Sequence, residues 1–478
     1  MPLILWTDAL VFALLAAIAG YFAYVRRHEH LAVPWRRVTQ SASGMAALVL
    51  LLVFVVVGLL DSLHYRPAMT GKDTEGNAIY AIEVRSALDM LLTPLRERVE
   101  RTYSAPFATR AYTKELIELP GEDGKAGRQV RDFPRLQWGG AHLQDEAGRD
   151  FDILATMLRA LAAGTVVWGL IVGIVAAALA KRAGKPVREV WRALWRGETE
   201  VRWRAVIVTI GALMAIAFPV ALLATRYHVL GTDKVGQDVL YLALKSIRTG
   251  LVIGTLTTLV MMPFAVLLGI MAGYFRGWID DVIQYVYTTL NSIPGVLLIA
   301  AAVLMMQVYV DTRPELFPTS AQRADLRLLF LCVILGLTSW TGLARLLRGE
   351  TLKLSELEYI QAAQAFGVRD ARIITRHILP NLMHIVLISL VMDFSGLVLA
   401  EAVLSYVGVG VDPSMISFGT MINAARLEMS REPVVWWALA AAFAFMFALV
   451  LAANLFADAV RDAFDPRVRV GAVQRAAA

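Results

Sequence analysis

Apolar residues in this chain run together in long blocks rather than alternating or recurring on one helical face. Nine such blocks lie near residues 5–25, 43–60, 160–180, 205–224, 250–273, 281–310, 328–347, 382–404 and 434–458. At about 1.5 Å per helical residue, each is long enough to cross ~30 Å of hydrocarbon. A helix satisfies its own backbone inside a bilayer, so nine blocks predict an all-α polytopic membrane protein. One sizeable polar stretch interrupts them, 61–159, with Pro67, Pro94, Pro106, Pro120 and Pro134 and a Gly-rich turn at Gly121–Gly127. Within it the run Ala81–Arg101 has helical spacing, with Ile82, Leu88, Leu91, Leu92, Leu95 and Val99 apolar. About a hundred residues are enough for a small core.

Composition agrees with the pattern. Of 478 residues, 58% are hydrophobic and 18% charged, and mean hydropathy is +0.58. Soluble chains sit near ~45–50% and ~25%. The net charge of +6 is first a topology signal. Basic residues cluster after the first block (Arg26, Arg27, Arg36, Arg37), after the third (eight between Lys181 and Arg204) and after the seventh (Arg348, Lys353, Arg369, Arg372, Arg376). Positive short loops face the cytoplasm, which predicts an outside N-terminus, an extracytoplasmic 61–159 and an inside C-terminus. The first block has no basic residue before it and carries Asp8, unlike a removable signal peptide. The single cysteine, Cys332, lies in an apolar block and excludes intrachain disulfides and CxxC redox chemistry.

Enzyme signatures are missing. Gly124-Lys125 is followed by Ala126, not the Ser or Thr of a phosphate loop. His28-Glu29-His30 is not HExxH and reads as a juxtamembrane polar cluster. No local motif pairs a nucleophile with a base. No catalytic residue, resident cofactor, metal or nucleic-acid partner is expected, and energy for uphill transport would come from another chain or an ion gradient.

The inward loop 349–381 carries the most specific pattern. Tyr359, Ala362, Ala363 and Phe366 recur at helical spacing and make one apolar stripe on a short helix, which Gly367 ends or bends. Ile374 and Ile378 continue an apolar face on a second piece that carries Arg369, Arg372 and Arg376, and Pro380 opens the next span. Small alanines at the centre of the stripe suit a helix that docks into another protein's groove. The same stripe and arginines suit an amphipathic helix lying on lipid headgroups. Periodicity alone does not separate the two.

Gln361-Ala362-Ala363, Gly367 and Ile378-Leu379-Pro380 resemble the EAA coupling motif of ABC importer permeases. From about 205 to 467 the chain is similar to the oligopeptide/dipeptide permease family, its C-type subunit. Four further stretches carry the likeness: His228 to Leu240 with Gly231, Thr232, Asp233, Gly236 and Asp238; Ala400-Glu401-Ala402 through Gly410; Pro413 through Phe418-Gly419 and Met421; and Asn454-Leu455 through Asp465-Pro466-Arg467. The resemblance implies a six-helix permease core, here preceded by about three extra spans and the insert. It also implies a bacterial inner-membrane location, a second homologous permease subunit as heterodimer partner, two ABC ATPase subunits that hold ATP and Mg, and an extracytoplasmic solute-binding protein. Tyr359, Gln361, Ala362, Ala363, Phe366, Gly367, Leu379 and Pro380 would form the coupling loop. Two features depart from the family: Gln361 stands where its motif opens on glutamate, and one span, not four, normally precedes the external segment.

The division expected is 1–60 as a transmembrane extension, 61–159 as the insert, 160–204 as an extra span with a basic loop, 205–467 as the core and 468–478 as a tail. Asp233 is placed to cap a short helix running into Val239–Ile247, whose Leu240, Leu244 and Ile247 would lie on the outer membrane surface. Asp145-x-x-Gly148-x-Asp150 repeats the spacing of Asp233-x-x-Gly236-x-Asp238, by partial duplication or by chance. Asn291, Ser292, Asp393 and Glu401 are the polar groups placed to line a pathway, with a helix–helix hydrogen bond the competing role for Asp393. Pro294 should kink its helix. Trp436 and Trp437 read as interface anchors. An ion-coupled secondary transporter is the alternative function and would need paired broken helices around mid-membrane charges.

Overall fold

The computed structural model describes residues 1–72, 78–119, 128–313, 315 and 319–464. The Gly-rich turn at 121–127, Asp465-Pro466-Arg467 and the tail 468–478 lie outside them. The extension holds α1 (Trp6–Val25), α2 (Glu29–Gln40) and α3 (Ala42–Ser62). In the insert, α4 (Ala87–Leu91) and α5 (Thr93–Glu97) are short, and they are followed by α6 (Arg149–Ala183) and α7 (Val187–Arg196). Next come α8 (Trp203–Ala224), α9 (Val239–Phe275), α10 (Gly277–Ser292), α11 (Gly295–Asp311), α12 (Ser320–Ser339) and α13 (Thr341–Ser355). Then α14 (Glu358–Ala365) and α15 (Asp370–Ile373) lead through a π turn (Ile374–Ile378) into α16 (Leu379–Val407), α17 (Phe418–Glu428) and α18 (Trp437–Phe464).

Among the described residues, eight helical segments are long and apolar enough to span a membrane, and the pair α10–α11, bent by 88°, raises the number to nine if it counts as one. Each of the nine apolar blocks falls on one of them. Pro294, which caps α11, does more than kink a helix: it separates two. The long helix α9 is the hub, packing on α3, α10, α12, α13, α16 and α18. By contrast α8 packs chiefly on α6 and α3, and α3 also packs on α18. The extension therefore contributes directly to the bundle around α9.

At one end, the strand Pro2–Leu3 pairs antiparallel with His64–Tyr65, which pairs with Arg85–Ser86. The chain start and the insert thus lie on the same side. At the other end, Arg202 donates its backbone N–H to Thr39 O and its Nε to Gln40 O, joining the first two basic segments. In the insert, helix begins only at Ala87, because Ser86 caps it with a reciprocal Ser86–Asp89 pair, and Pro94 then starts a separate turn. The helical run expected from Ala81 is broken accordingly. Nor do the described residues of the insert gather into a core of their own. Leu95 packs with Leu223, Tyr227, Leu240 and Tyr241, and Tyr103 with Val239, Met421 and Trp437.

Candidate functional site

Two sites can be built upward from the residues, one at each end of the bundle. On the insert side, Gly231 to Asp238 forms a tight double turn. Gly231 has φ +72° and Gly236 has φ +78°, both in the left-handed region that favours glycine. The space matters as much as the angle. A Cβ on Gly236 would lie 1.9 Å from the carbonyl oxygen of Glu100, and one on Gly231 2.5 Å from that of Ser104. Thr232 Oγ1 donates to Thr102 O at 2.9 Å and accepts from Ser104 N at 2.7 Å, while its own carbonyl accepts from Trp437 Nε1 at 2.9 Å. This segment is the clamp that holds the insert. Trp437 is buried in it, so the expected interface anchor is a clamp residue, and only Trp436 is exposed.

The cap assignment changes as well. Asp238, not Asp233, caps α9, accepting from Leu240 N at 2.8 Å; Asp233 instead accepts from Val235 N and Gln237 N and closes the turn. Leu240 and Ile247 are buried, so this stretch is the first part of a span rather than a helix lying on the membrane surface. His228 Nδ1 sits 2.8 Å from Asp238 Oδ2, and its Nε2 3.4 Å from Glu100 Oε1. Glu100 also accepts from the backbone N–H groups of Gln137, Trp138 and Gly139 at 2.8–3.1 Å. Burial opposes charge on both groups, but the hydrogen bonds win. They raise His228 to about 9 and lower Glu100 to about 2.

The upstream Asp145-x-x-Gly148-x-Asp150 has unlike geometry. Gly148 is right-handed at φ −80°, Asp150 is exposed beside Arg149, and Arg159 is exposed where Arg248 is buried. The shared spacing is not a shared structure.

Below the clamp, charges on α9 meet acids from the extension and insert. Arg248 donates to Asp8 at 2.6 Å, to Thr7 Oγ1 and to Ser62 Oγ, and lies 3.8 Å from Asp325. Lys245 bonds Asp89 at 2.8 Å and Asp61 at 3.0 Å, and Tyr241 donates to Asp89. A buried cation without such partners would be costly, so these acids are part of what lets α9 carry charge.

At the other end, α14 is a short helix held by one face. Ile360 is fully buried with Tyr274, Leu347, Ile373 and Ile378. Tyr274 OH donates to Asp370 at 2.7 Å, and Gln364 Nε2 reaches Tyr274 OH at 3.3 Å. Tyr359, Gln361, Ala362 and Phe366 face outward, Phe366 being 88% exposed, while Ala363 is half-buried at the edge. Gly367 adopts φ +71° and ends the helix, with Val368 N closing onto Ala363 O. Leu379 packs on the same buried cluster, and Pro380 sits in the first turn of α16. Sequence reading found the outward stripe but missed Ile360, the anchor. The π turn also alters the register: Ile373 and Ile378 are buried, five apart, whereas Ile374 is only half-buried.

The pathway candidates part company. Glu401 is fully buried and accepts from Ser405 Oγ at 2.7 Å and Ser417 Oγ at 2.9 Å, so it ties α16 to the cap of α17. Asn291 accepts from Thr341, and Ser292 bonds Thr289 O, both at the exposed break between α10 and α11. Asp393 is half-buried and makes no side-chain hydrogen bond among the described residues.

Residues 265–470 match the family described as "Binding-protein-dependent transport system inner membrane component". The glutathione transport system permease protein GsiD of Pectobacterium atrosepticum is 33% identical over 308 residues, 60% of this chain and 94% of its own. The oligopeptide transport system permease protein OppC of Mycobacterium bovis is 31% identical over 51% of this chain and 77% of its own. A solved inward-facing methionine ABC transporter, MetNI, aligns over 47% of this chain and 97% of its own at 16% identity and a TM-score of 0.35. With a relative one-third identical spanned almost from end to end, this chain belongs to the family of inner-membrane components of binding-protein-dependent transport systems.

Proposed function

We propose that the chain is one of two transmembrane subunits of an ATP-driven importer for peptides or similar small solutes. A binding protein would deliver the solute outside, and two ATPase subunits would hold ATP and Mg inside. Residues 205–467 would be the permease core, with 1–204 as an accessory extension. The observation that carries the coupling assignment is the two-sided character of α14: Ile360 fixes it to the bundle, and Tyr359, Ala362 and Phe366 are left for a partner. An exposed Phe flanked by Ala fits a groove, and the buried side links it through Ile373 and Ile378 to α16. Closure of the ATPases would push on α14 and tilt α16 with it. Gln361 would offer the partner an amide hydrogen bond where the family motif offers a carboxylate. The apolar exposed side of α10–α11, including Tyr285, Leu297 and Met305, suits burial against the second permease.

The test is Phe366→Asp in cells carrying the whole system. Uptake of a labelled peptide should fall at least about tenfold, with the chain still inserted and the ATPase subunits no longer co-purifying; a buried contact of this kind carries ~1–2 kcal/mol or more. Normal uptake and normal co-purification would overturn the docking assignment. Uptake by vesicles holding this chain alone, driven by a proton or sodium gradient, would favour ion coupling. Family membership supports ATP-driven import over that alternative.

A further inference from the structure

The cytoplasmic segment between α6 and α8 is folded more specifically than a basic loop needs to be. It contains α7, bounded by Gly184 (φ +63°) and Gly197 (φ +74°), which turn the chain sharply at both ends. Around this helix, Val190, Leu194, Val187, Trp191 and Trp195 span one apolar arc, and Arg188, Arg192 and Arg196 lie beside it. The arc is wider than the surface that covers it. Val190 and Leu194 are buried against Val172, Ala176, Ala180 and Ile207 of the neighbouring spans. Val187, Trp191 and Trp195 are 51%, 42% and 39% exposed. The three arginines are exposed and form no ion pair among the described residues. The only acid on α7 is Glu189, and the flanking positions add Lys181, Arg182, Lys185, Arg202 and Arg204, with Glu198 and Glu200.

A second observation shows what fits there. An apolar groove of about 420 Å³ runs between α6 and α8 and ends at Trp195. It exists because small residues, Gly164, Gly211, Ala212 and Ala215, leave room beside Trp168. Trp168 donates to Ile207 O at 2.9 Å and meets the ring of Trp195 at 6.4 Å, so the groove's end and the arginine helix form one structure. We propose that α7 and the α6–α8 groove form a binding site for an anionic phospholipid of the cytoplasmic leaflet. One acyl chain lies in the groove, Trp191 and Trp195 sit at headgroup level, and the phosphate faces the arginines. An acidic protein surface would satisfy the arginines but would leave the groove, which lies between two spans, unfilled.

The test uses the purified full chain, exchanged into equimolar dioleoyl-phosphatidylglycerol and dioleoyl-phosphatidylcholine, with retained lipid counted by native mass spectrometry. Three basic groups near an anionic headgroup should favour phosphatidylglycerol at least about tenfold. Arg188→Gln, Arg192→Gln and Arg196→Gln together should bring that ratio near one. Ala215→Leu, which fills the groove and leaves the arginines, should reduce retention of both lipids. Equal retention by the unaltered protein, or a preference that survives the triple substitution, overturns the proposal. So does a triple variant that keeps its phosphatidylglycerol but loses a co-purifying protein subunit, since the face then belongs to that protein.

Discussion

The insert clamp and α14, the proposed coupling helix, sit at opposite ends of the same bundle and are held differently. The clamp is polar and buried: Glu100, His228, Asp238, Thr232 and Trp437 have their partners inside the protein. The helix α14 is held by a few apolar side chains and two side-chain hydrogen bonds, Gln364 to Tyr274 and Asn381 to Tyr359, and shows its remaining face to solvent. A buried polar network specifies one arrangement and makes any other costly, because each separated group must be left unpaired. An apolar anchor tolerates small displacement. The difference fits a permanent joint at the clamp and, on the coupling role proposed for α14, a moving one at the other end.

The largest effect should come from breaking the charge ladder that supports the clamp. Among the described residues, Arg248→Leu leaves Asp8 buried with only His64 as a basic partner, and Asp325 with none. Removing one side of a buried pair costs about 3–5 kcal/mol. The expected outcome is a large drop in the thermal midpoint of the purified protein, or failure to accumulate. Phe366→Asp should leave that midpoint within a degree or two. Equal midpoints for both variants would remove the distinction between the two ends.

Two glycines sharpen the comparison at smaller cost. Gly236 and Gly367 have nearly the same left-handed φ, +78° and +71°. An added Cβ meets the Glu100 backbone at Gly236 and nothing within 4 Å at Gly367. Gly367→Ala should therefore cost only the conformational term, about 1–2 kcal/mol, with folding preserved. Gly236→Ala should also force the segment at Glu100 away, and limited proteolysis should then cut between 98 and 140. Equal protease sensitivity in the two variants would show that the clamp does not depend on close approach.

How much of this was legible follows from the range of each interaction. The apolar blocks were readable because a span is a local pattern, and the stripe Tyr359–Phe366 because it needs only one helix. The sequence splits α9 into a surface helix over Val239–Ile247 and a span from about 250, because Lys245 and Arg248 interrupt the apolar run. What lets them lie in a helix is Asp89, 156 residues away, and Asp8, 240 away. No local reading supplies such partners. Asp233 and Asp238 are both plausible caps by type, and only the turn made by Gly231 and Gly236 decides between them. By contrast α7 is legible in the sequence: Val187, Val190, Trp191, Leu194 and Trp195 have helical spacing, with arginines interleaved among them. The π turn left no signal, since Ile373, Ile374 and Ile378 offer two registers equally.

The smallest expected effect is a pH dependence confined to one end. His228 is raised from 6.5 to about 9, so its stabilising charge is complete below about pH 6.5 and lost as pH rises through 9. Glu100 is lowered from 4.5 to about 2, so its contribution is complete above about pH 4.5 and lost only as pH falls through 2. Together they make the clamp tightest between about pH 4.5 and 6.5 and looser toward pH 10. Hydrogen exchange, corrected for the intrinsic pH dependence of amide exchange, should show the amides of Gln137, Trp138 and Gly139 losing protection between pH 6 and pH 10. These amides donate to Glu100, whose neighbouring cation is then gone. The segment Glu358–Ala365 holds no histidine and should not change over the same interval. His228→Asn should abolish the dependence and leave protection low at both values. Loss of protection at both ends together would mean that alkaline pH loosens the whole bundle, and that the joint at Glu100 is no firmer than the helix opposite.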